Sequence, residues 1–486
     1  MGQEMILWNA FYEYFLTKGE TVRTIAVGIL LGFFFFRRFG IIEKYKKYFL
    51  KISPRKWLIL ILFLGFVLRL AWVIWSPYSP PAAGTEDTFM IDHARDLASG
   101  KGYITAEGVP SANRPIGYAL LLAGIFKLFG ENLDLVAIMN VFLILPTLWL
   151  VYKIGTLVAN QFVGLLASFL VSIYPTSIFA SRVVLEEHVF IPMWLAGILL
   201  LILDYQKPNW SKVLWAAVLF AVGAHFRTYS FAMGLVAFFI WFVFKKNYGQ
   251  AFLRLFVIQT IILLVALPWA IRNYYKMGEP ILYSTYIGGA FYYSNNPISD
   301  VRYPVYPTLE QGGDIAFLQA KTEVEVNRAG KAAAWRWIKK NPSIFIQKAL
   351  GRGVYLLGLS REGWIVKDNF NTIHAGRTRP PEKLISRIDR LDNDFYGVIL
   401  LLSLFGIIVF FFPKAEILRK PGMAYLLVTL IYYLGIICLT LGHRKYRFPI
   451  EPIFCLLAAY GISLFTTPKP SDKKNAHAAT LALNKS

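Results

Sequence analysis

Trp57-Leu58-Ile59-Leu60-Ile61-Leu62-Phe63-Leu64-Gly65-Phe66-Val67-Leu68-Arg69-Leu70-Ala71-Trp72-Val73-Ile74-Trp75 is apolar throughout except at Arg69. As a helix it covers close to the 30 Å or so of hydrocarbon in a bilayer, so it reads as a membrane span. The whole 486-residue chain has the same character, 56% hydrophobic and 16% aromatic with a mean hydropathy of +0.49, well above a soluble globular chain. Apolar runs recur near 22–36, 57–75, 133–152, 156–173, 186–204, 212–226, 229–244, 255–270, 397–413, 423–441 and 450–466. The expected fold is an all-α polytopic membrane protein of about eleven transmembrane helices.

The formal net charge of +22 follows from membrane topology rather than from nucleic-acid binding, because the bases cluster in short loops between spans. Residues 37–56 hold eight Lys or Arg and one Glu, which places that segment in the cytoplasm. Lys207 and Lys212, Lys245, Lys246 and Arg254, Lys414, Arg419 and Lys420, and the tail 467–486 then fall on the same side. The expected location is the inner or plasma membrane. Cys438 and Cys455 lie within expected spans and read as buried apolar residues. Met5 to Phe15 lacks the features of a cleavable signal and reads as an amphipathic lead-in.

This reading divides the chain into a lead-in with an extra span and basic loop at 1–56, a main transmembrane module at 57–270, an outer-side domain at 271–396, the last spans at 397–466 and a basic tail at 467–486. Two segments outside the spans are long enough to fold, 77–132 and 271–396, and both fall on the outer, periplasmic side. The first holds a helical pattern over 87–99 and an interfacial apolar stretch over 116–129. The second holds helical segments near 315–340 and 343–358. No fixed-period repeat occurs.

Glu86 and Asp87 head the first outer pattern, Glu86-Asp87-Thr88-Phe89-Met90-Ile91-Asp92-His93-Ala94-Arg95-Asp96. Acids in such a place are either hydrated loop charges or the base of a reaction at the membrane surface. Downstream come Gly100-Lys101-Gly102-Tyr103, Arg114-Pro115-Ile116-Gly117-Tyr118 and Leu128-Phe129-Gly130. Further strings are Leu185-Glu186-Glu187-His188-Val189-Phe190 and Pro268-Trp269-Ala270-Ile271-Arg272-Asn273-Tyr274, the latter followed by Gly288-Gly289 and Asn295-Asn296-Pro297. In Arg444-Lys445-Tyr446-Arg447-Phe448-Pro449, three bases occupy a short outer loop, against the positive-inside pattern. A lipid phosphate at the outer leaflet needs such cationic donors.

Together these strings resemble the GT-C superfamily of membrane glycosyltransferases that use polyprenyl-phosphate sugars, in the branch of protein O-mannosyltransferases and aminoarabinose transferases. The chain departs from that pattern at Met90 or Ile91, where Tyr is usual, at Ile116, where a second Pro is usual, and at Lys445, where Arg is usual. The resemblance covers about 57–300 and 397–465, is absent from the first 50 residues and is weak over 300–396, where acceptor choice is expected to reside. It implies transfer of a sugar from a polyprenyl-phosphate-linked donor to a lipid, glycan or protein acceptor. It also implies a base at Asp87, with Glu86 as neighbour or substitute, since displacement at an anomeric carbon needs the acceptor proton removed. Glu187, Arg227, Arg272, Asn295, Asn296, Arg444, Lys445 and Arg447 are the expected substrate-binding residues. Asp92, His93 and Asp96 read as helix surface or local structure.

No cofactor is called for. His188 beside an acid falls short of a ligand set, and no ligand spacing supports a divalent metal. A transporter or flippase would show charges near the middle of spans and paired repeats, whereas Arg69 is the one clear intramembrane charge in the sequence. A ligase or polymerase of lipid-linked glycans remains the enzymatic alternative.

Overall fold

The computed structural model describes residues 52–76, 86–302, 305–359, 378–411 and 421–463, with single positions 7, 25, 27 and 28. Apart from those positions, the expected span at 22–36, the lead-in at 5–15, the basic stretch up to 51 and the tail at 467–486 lie outside the described residues. Among the described residues no strand forms, only an antiparallel bridge between Ile104 and Pro110.

Helix α1 (Pro54–Trp75) begins where the Ser53 side chain accepts the Lys56 N–H and Pro54 occupies the first turn, which has no use for its missing donor. Then come α2 (Glu86–Ala98) and α3 (Ile116–Phe129). Asparagines cap several of the following helices by accepting first-turn N–H groups. Asn132 starts α4 (Leu133–Val158) and Asn160 starts α5 (Gln161–Ser172). After α6 (Pro175–Ala180) and α7 (Glu187–Gln206), Asn209 starts α8 (Trp210–Ala224). After α9 (Met233–Val243), Asn247 starts α10 (Tyr248–Met277), which stops at Gly278 in the left-handed region at φ 78°. The outer segment forms α11 (Tyr286–Ser294), α12 (Ile315–Leu318), α13 (Glu323–Lys340) and α14 (Pro342–Leu357), and α13 opens with a capping box between Thr322 and Glu325. The chain then returns through α15 (Glu382–Phe410), α16 (Pro421–Leu439) and α17 (Glu451–Ser463).

Six of these helices, α1, α4, α7, α10, α15 and α16, are long and apolar enough to cross a membrane. The chain is an integral membrane protein. The expected count of eleven is not reproduced among the described residues. The runs near 156–173, 212–226 and 229–244 give α5, α8 and α9 of 12, 15 and 11 residues, too short to span alone. Apolar composition hid the break at Ala159-Asn160, inside the run at 156–173, and the 3₁₀ turn Thr228–Ser230 at the head of the run at 229–244. Conversely, α15 starts fifteen residues before the run at 397–413, so Asp392 is buried inside the bundle and accepts a hydrogen bond from the Thr176 hydroxyl at 2.6 Å. Arg69 is therefore not the lone interior charge. Arg447 and Glu451 are buried as well.

Helix α17 is buried along its whole described length. It lies so close to α15 that a Cβ at Gly406 would collide with the Leu457 carbonyl, so glycine is required at that crossing. Arg69 is satisfied by neutral groups, donating to the carbonyls of Gly65, Val171 and Ser172 and to the Ser177 hydroxyl. It ties α1 to the break between α5 and α6.

Candidate active site

The start of α7, the C-terminal ends of α8, α10 and α16 and the approach to α3 converge on a cavity of about 490 Å³. That is the size of an ordinary ligand pocket. Arg227 emerges just after α8 and meets two acids at the start of α7. Its Nε lies 3.1 Å from Glu186 Oε1, and its Nη2 lies 2.5 Å from Glu187 Oε1. All three side chains are buried, and both acids gain from the positive end of the α7 dipole. Glu187 Oε2 has no hydrogen-bond partner among the described residues, so it keeps an acceptor to spare.

Arg114, just before α3, lies with its guanidinium 3.9 Å above the Tyr286 ring, on the cavity wall. The opposite side belongs to the outer segment, where Asn327 and Lys331 stand one helical turn apart on α13 and so share a face. Burial holds the Lys331 amine below its usual pKa. Tyr229, Tyr283, Tyr432 and Tyr446 line the remainder, and burial pushes the Tyr283 hydroxyl up to about 12, so it stays a neutral donor. Cations, one acid pair and phenolic hydroxyls around an apolar wall suit a ligand with an anionic group, a polar ring and a hydrocarbon part.

The expected site residues separate into groups. Arg227 lines the cavity, and Glu187 pairs with it from behind the wall. Helix α2 begins at Glu86, as expected, but the side chains of Glu86 and Asp87 lie outside the described residues. Arg272 points instead at the first outer loop, donating to the carbonyls of Tyr103 at 2.6 Å and Ser111 at 2.7 Å. Asn295 and Asn296 are buried and spend their amides on carbonyls, Asn295 on Phe291 and Leu439 and Asn296 on Tyr292, Tyr293 and Val305. Arg447 is fully buried, 3.6 Å above the Tyr396 ring, with its Nε 3.3 Å from Glu451. Arg444 is buried 4.9 Å above Tyr355, and Lys445 is half-buried with its N–H on His443. Of this string only Tyr446 lines the cavity. Its 3₁₀ turn, Arg444–Ile450, rotates successive side chains by about a third of a circle, which sends the two arginines away from the tyrosine.

Residues the sequence did not single out as ligands are Arg114, Glu186, Asn327, Lys331 and Tyr446. Arg114 and Glu186 sit inside the quoted motifs. Lys331 and Asn327 had only their one-turn spacing as a signal.

The family model described as dolichyl-phosphate-mannose-protein mannosyltransferase matches residues 113–272, 160 of the 486. That is the family whose motifs this chain resembles. The matched stretch carries Arg114, Glu186, Glu187, Arg227 and Arg272, and over it the expected family of polyprenyl-phosphate-dependent glycosyltransferases is borne out. No curated protein matches the sequence. Among solved structures, the Archaeoglobus fulgidus oligosaccharyltransferase is similar at 13% identity and a TM-score of 0.48, over 88% of this chain and 51% of that one. ArnT from Cupriavidus metallidurans bound to undecaprenyl phosphate is similar at 12% identity and a TM-score of 0.43, over 85% and 77%. The chain thus spans about half the length of the archaeal enzyme. Among the described residues, no group of three or more His, Cys, Asp or Glu gathers to hold a metal.

Proposed function

We infer that the protein is a membrane glycosyltransferase that moves a sugar from a polyprenyl-phosphate donor to a lipid, glycan or protein acceptor in the 490 Å³ cavity, on the periplasmic side. The observation that carries this reading is the meeting of Arg114, Glu186, Arg227 and Lys331 in one aromatic cavity at the helix ends, with Glu187 paired to Arg227 behind its wall. The positive-inside pattern supports the assignment of the side.

In the reaction, the bond from the anomeric carbon to the phosphate oxygen breaks as the bond to the acceptor heteroatom forms. Asp87, with Glu86 beside it, takes the acceptor proton. The phosphate leaves with its negative charge, which Arg114 and Arg227 stabilise. Glu187 offers its spare oxygen to a sugar hydroxyl or to the acceptor. The test is transfer of radiolabelled sugar from a polyprenyl-phosphate donor by the purified protein, alongside comparison of envelope lipids and glycans from a deletion strain. A deletion strain with no missing sugar, together with no transfer from any hexose, pentose or aminosugar donor, overturns the reading.

A further inference from the structure

Glu323 opens α13 in the outer segment, where family resemblance is weak, yet its carboxylate is turned onto the first outer loop more than two hundred residues earlier in the chain. Oε1 accepts the Ser111 hydroxyl at 2.6 Å, and Oε2 accepts the Ala112 N–H and the Thr285 hydroxyl, each at 3.0 Å. Around it, the Thr285 N–H donates to the Ala112 carbonyl at 2.8 Å, and the Ser284 hydroxyl donates to the Asn113 carbonyl at 2.5 Å. Arg272 holds the carbonyl side of the same loop at Tyr103 and Ser111. The loop is thus fastened from below by a span and from above by the outer segment.

What the loop carries makes the fastening consequential. Tyr103 donates its hydroxyl to the Arg114 carbonyl at 3.1 Å, and its ring stacks on His93 of α2 at 4.0 Å. One end of the loop therefore sets Arg114 on the cavity wall, and the other sets α2, whose first residues are Glu86 and Asp87. We propose that Glu323 is a positioning residue, the clasp by which the outer segment holds the loop so that Arg114 keeps its place on the cavity wall and α2 its place against the loop. Three neutral donors on one carboxylate form charge-assisted bonds, the strong class of hydrogen bond, and the carboxylate also sits at the favourable end of the α13 dipole.

The structural part of this proposal stands apart from the function, while its kinetic part rests on the transferase reading. Ala112 is fully buried. In a Cys438→Ala, Cys455→Ala background, Ala112→Cys is expected to react with an impermeant maleimide at least about 10-fold faster when Glu323→Ala is added. Glu323→Asp should restore part of the protection. Glu325→Gln serves as the control, because Glu325 only caps its own helix through the N–H groups of Lys321 and Thr322, and it should leave the labelling rate unchanged. Under the transferase reading, Glu323→Ala should raise the donor KM by about 10-fold, and Glu325→Gln should not. Equal labelling in the Glu323→Ala and wild-type backgrounds overturns the clasp whether or not transfer is detected. Faster labelling with an unchanged donor KM overturns the positioning role. Absence of transfer in the wild type counts against the proposed function, and the labelling result still decides the clasp.

Discussion

Helix α7 carries a buried ion pair at each end, and the two are built differently. At its C-terminal end Asp204 meets Arg254 at 2.7 and 3.1 Å, and Asp204 Oδ1 also takes the Asn209 N–H at 2.8 Å. Arg254 gives its remaining arm to Gln250 at 2.5 Å and lies 3.5 Å above Trp241, with Trp210 on a further side at 4.8 Å. Every oxygen is used and indoles close the site. At the N-terminal end a single arginine serves two acids, one oxygen of Glu187 is left over, and a 490 Å³ cavity lies alongside. A buried charge whose partners are complete is committed to holding helices together, whereas one with spare capacity beside open volume is placed to meet a ligand.

The largest effect is expected where the comparison is most lopsided. Asp204→Leu leaves Arg254 buried without an acid and should cost about 3–5 kcal/mol. The readout is loss of monodisperse protein and a lower melting temperature in detergent, with much of the loss recovered in Asp204→Leu/Arg254→Met. A stable single variant would break the view that this end is purely structural. Next, Asp87→Asn should lower transfer by about 10²-fold, as expected for a general base, at an unchanged melting temperature. Full activity there with a dead Glu86→Gln moves the base by one residue, and two active variants remove it from this loop.

A smaller effect belongs to the cavity end of α7. Arg227→Ala should weaken donor binding by roughly 10- to 150-fold, the equivalent of about 1.5–3 kcal/mol for a charge-assisted bond, and Arg227→Lys should recover only part of it. Arg272→Ala sharpens the contrast, because Arg272 is spent on backbone carbonyls and should lower the melting temperature more than it alters donor affinity, whereas Arg447 keeps both Nη groups without a hydrogen-bond partner among the described residues. Donor titration in neutral detergent, with melting curves on the same preparations, separates the two behaviours.

The smallest effect is on pH. Burial lowers the pKa of His93, with the carboxylates of Glu323, Asp96 and Asp92 opposing that shift. The unfolded loop therefore binds the proton more readily than the folded one, and stability is present above the usual histidine value of about 6.5 and lost as pH falls below it. Maleimide labelling of Ala112→Cys, taken relative to an exposed cysteine so that the falling thiolate fraction cancels, should accelerate modestly between about pH 7 and 5.5, and His93→Phe should flatten that dependence. Labelling independent of pH would detach His93 from the loop.

Much of this architecture was readable from the chain. Spans α1, α7 and α16 and the outer helices α2, α3 and α14 lie within about three residues of their expected bounds, because hydrophobic runs and capping residues are local signals, whereas α4 and α10 overrun their apolar runs and the segment expected at 315–340 divides into α12 and α13. Helix α15 was misjudged because charges spread over residues 382–396 look like those of a solvated helix until the bundle buries Asp392. Glu187 and Arg227 were singled out through motif and position, and the structure pairs them. Arg272 and the Asn295-Asn296 pair were found as unusual residues, but the sequence offered no way to see that backbone carbonyls already occupy them.

The sequence by itself determined the membrane class, the order of the spans and the family resemblance, since composition, periodicity and short motifs act within a few residues. Only the tertiary structure decided which charges face the cavity. The pairing of Glu187 with Arg227, of Asp204 with Arg254 and of Glu323 with Ser111 and Ala112 joins residues separated by forty to more than two hundred positions. Whether a buried charge is spent or spare depends on the atoms within about 3 Å of it, and only the packing of distant helices brings those atoms together.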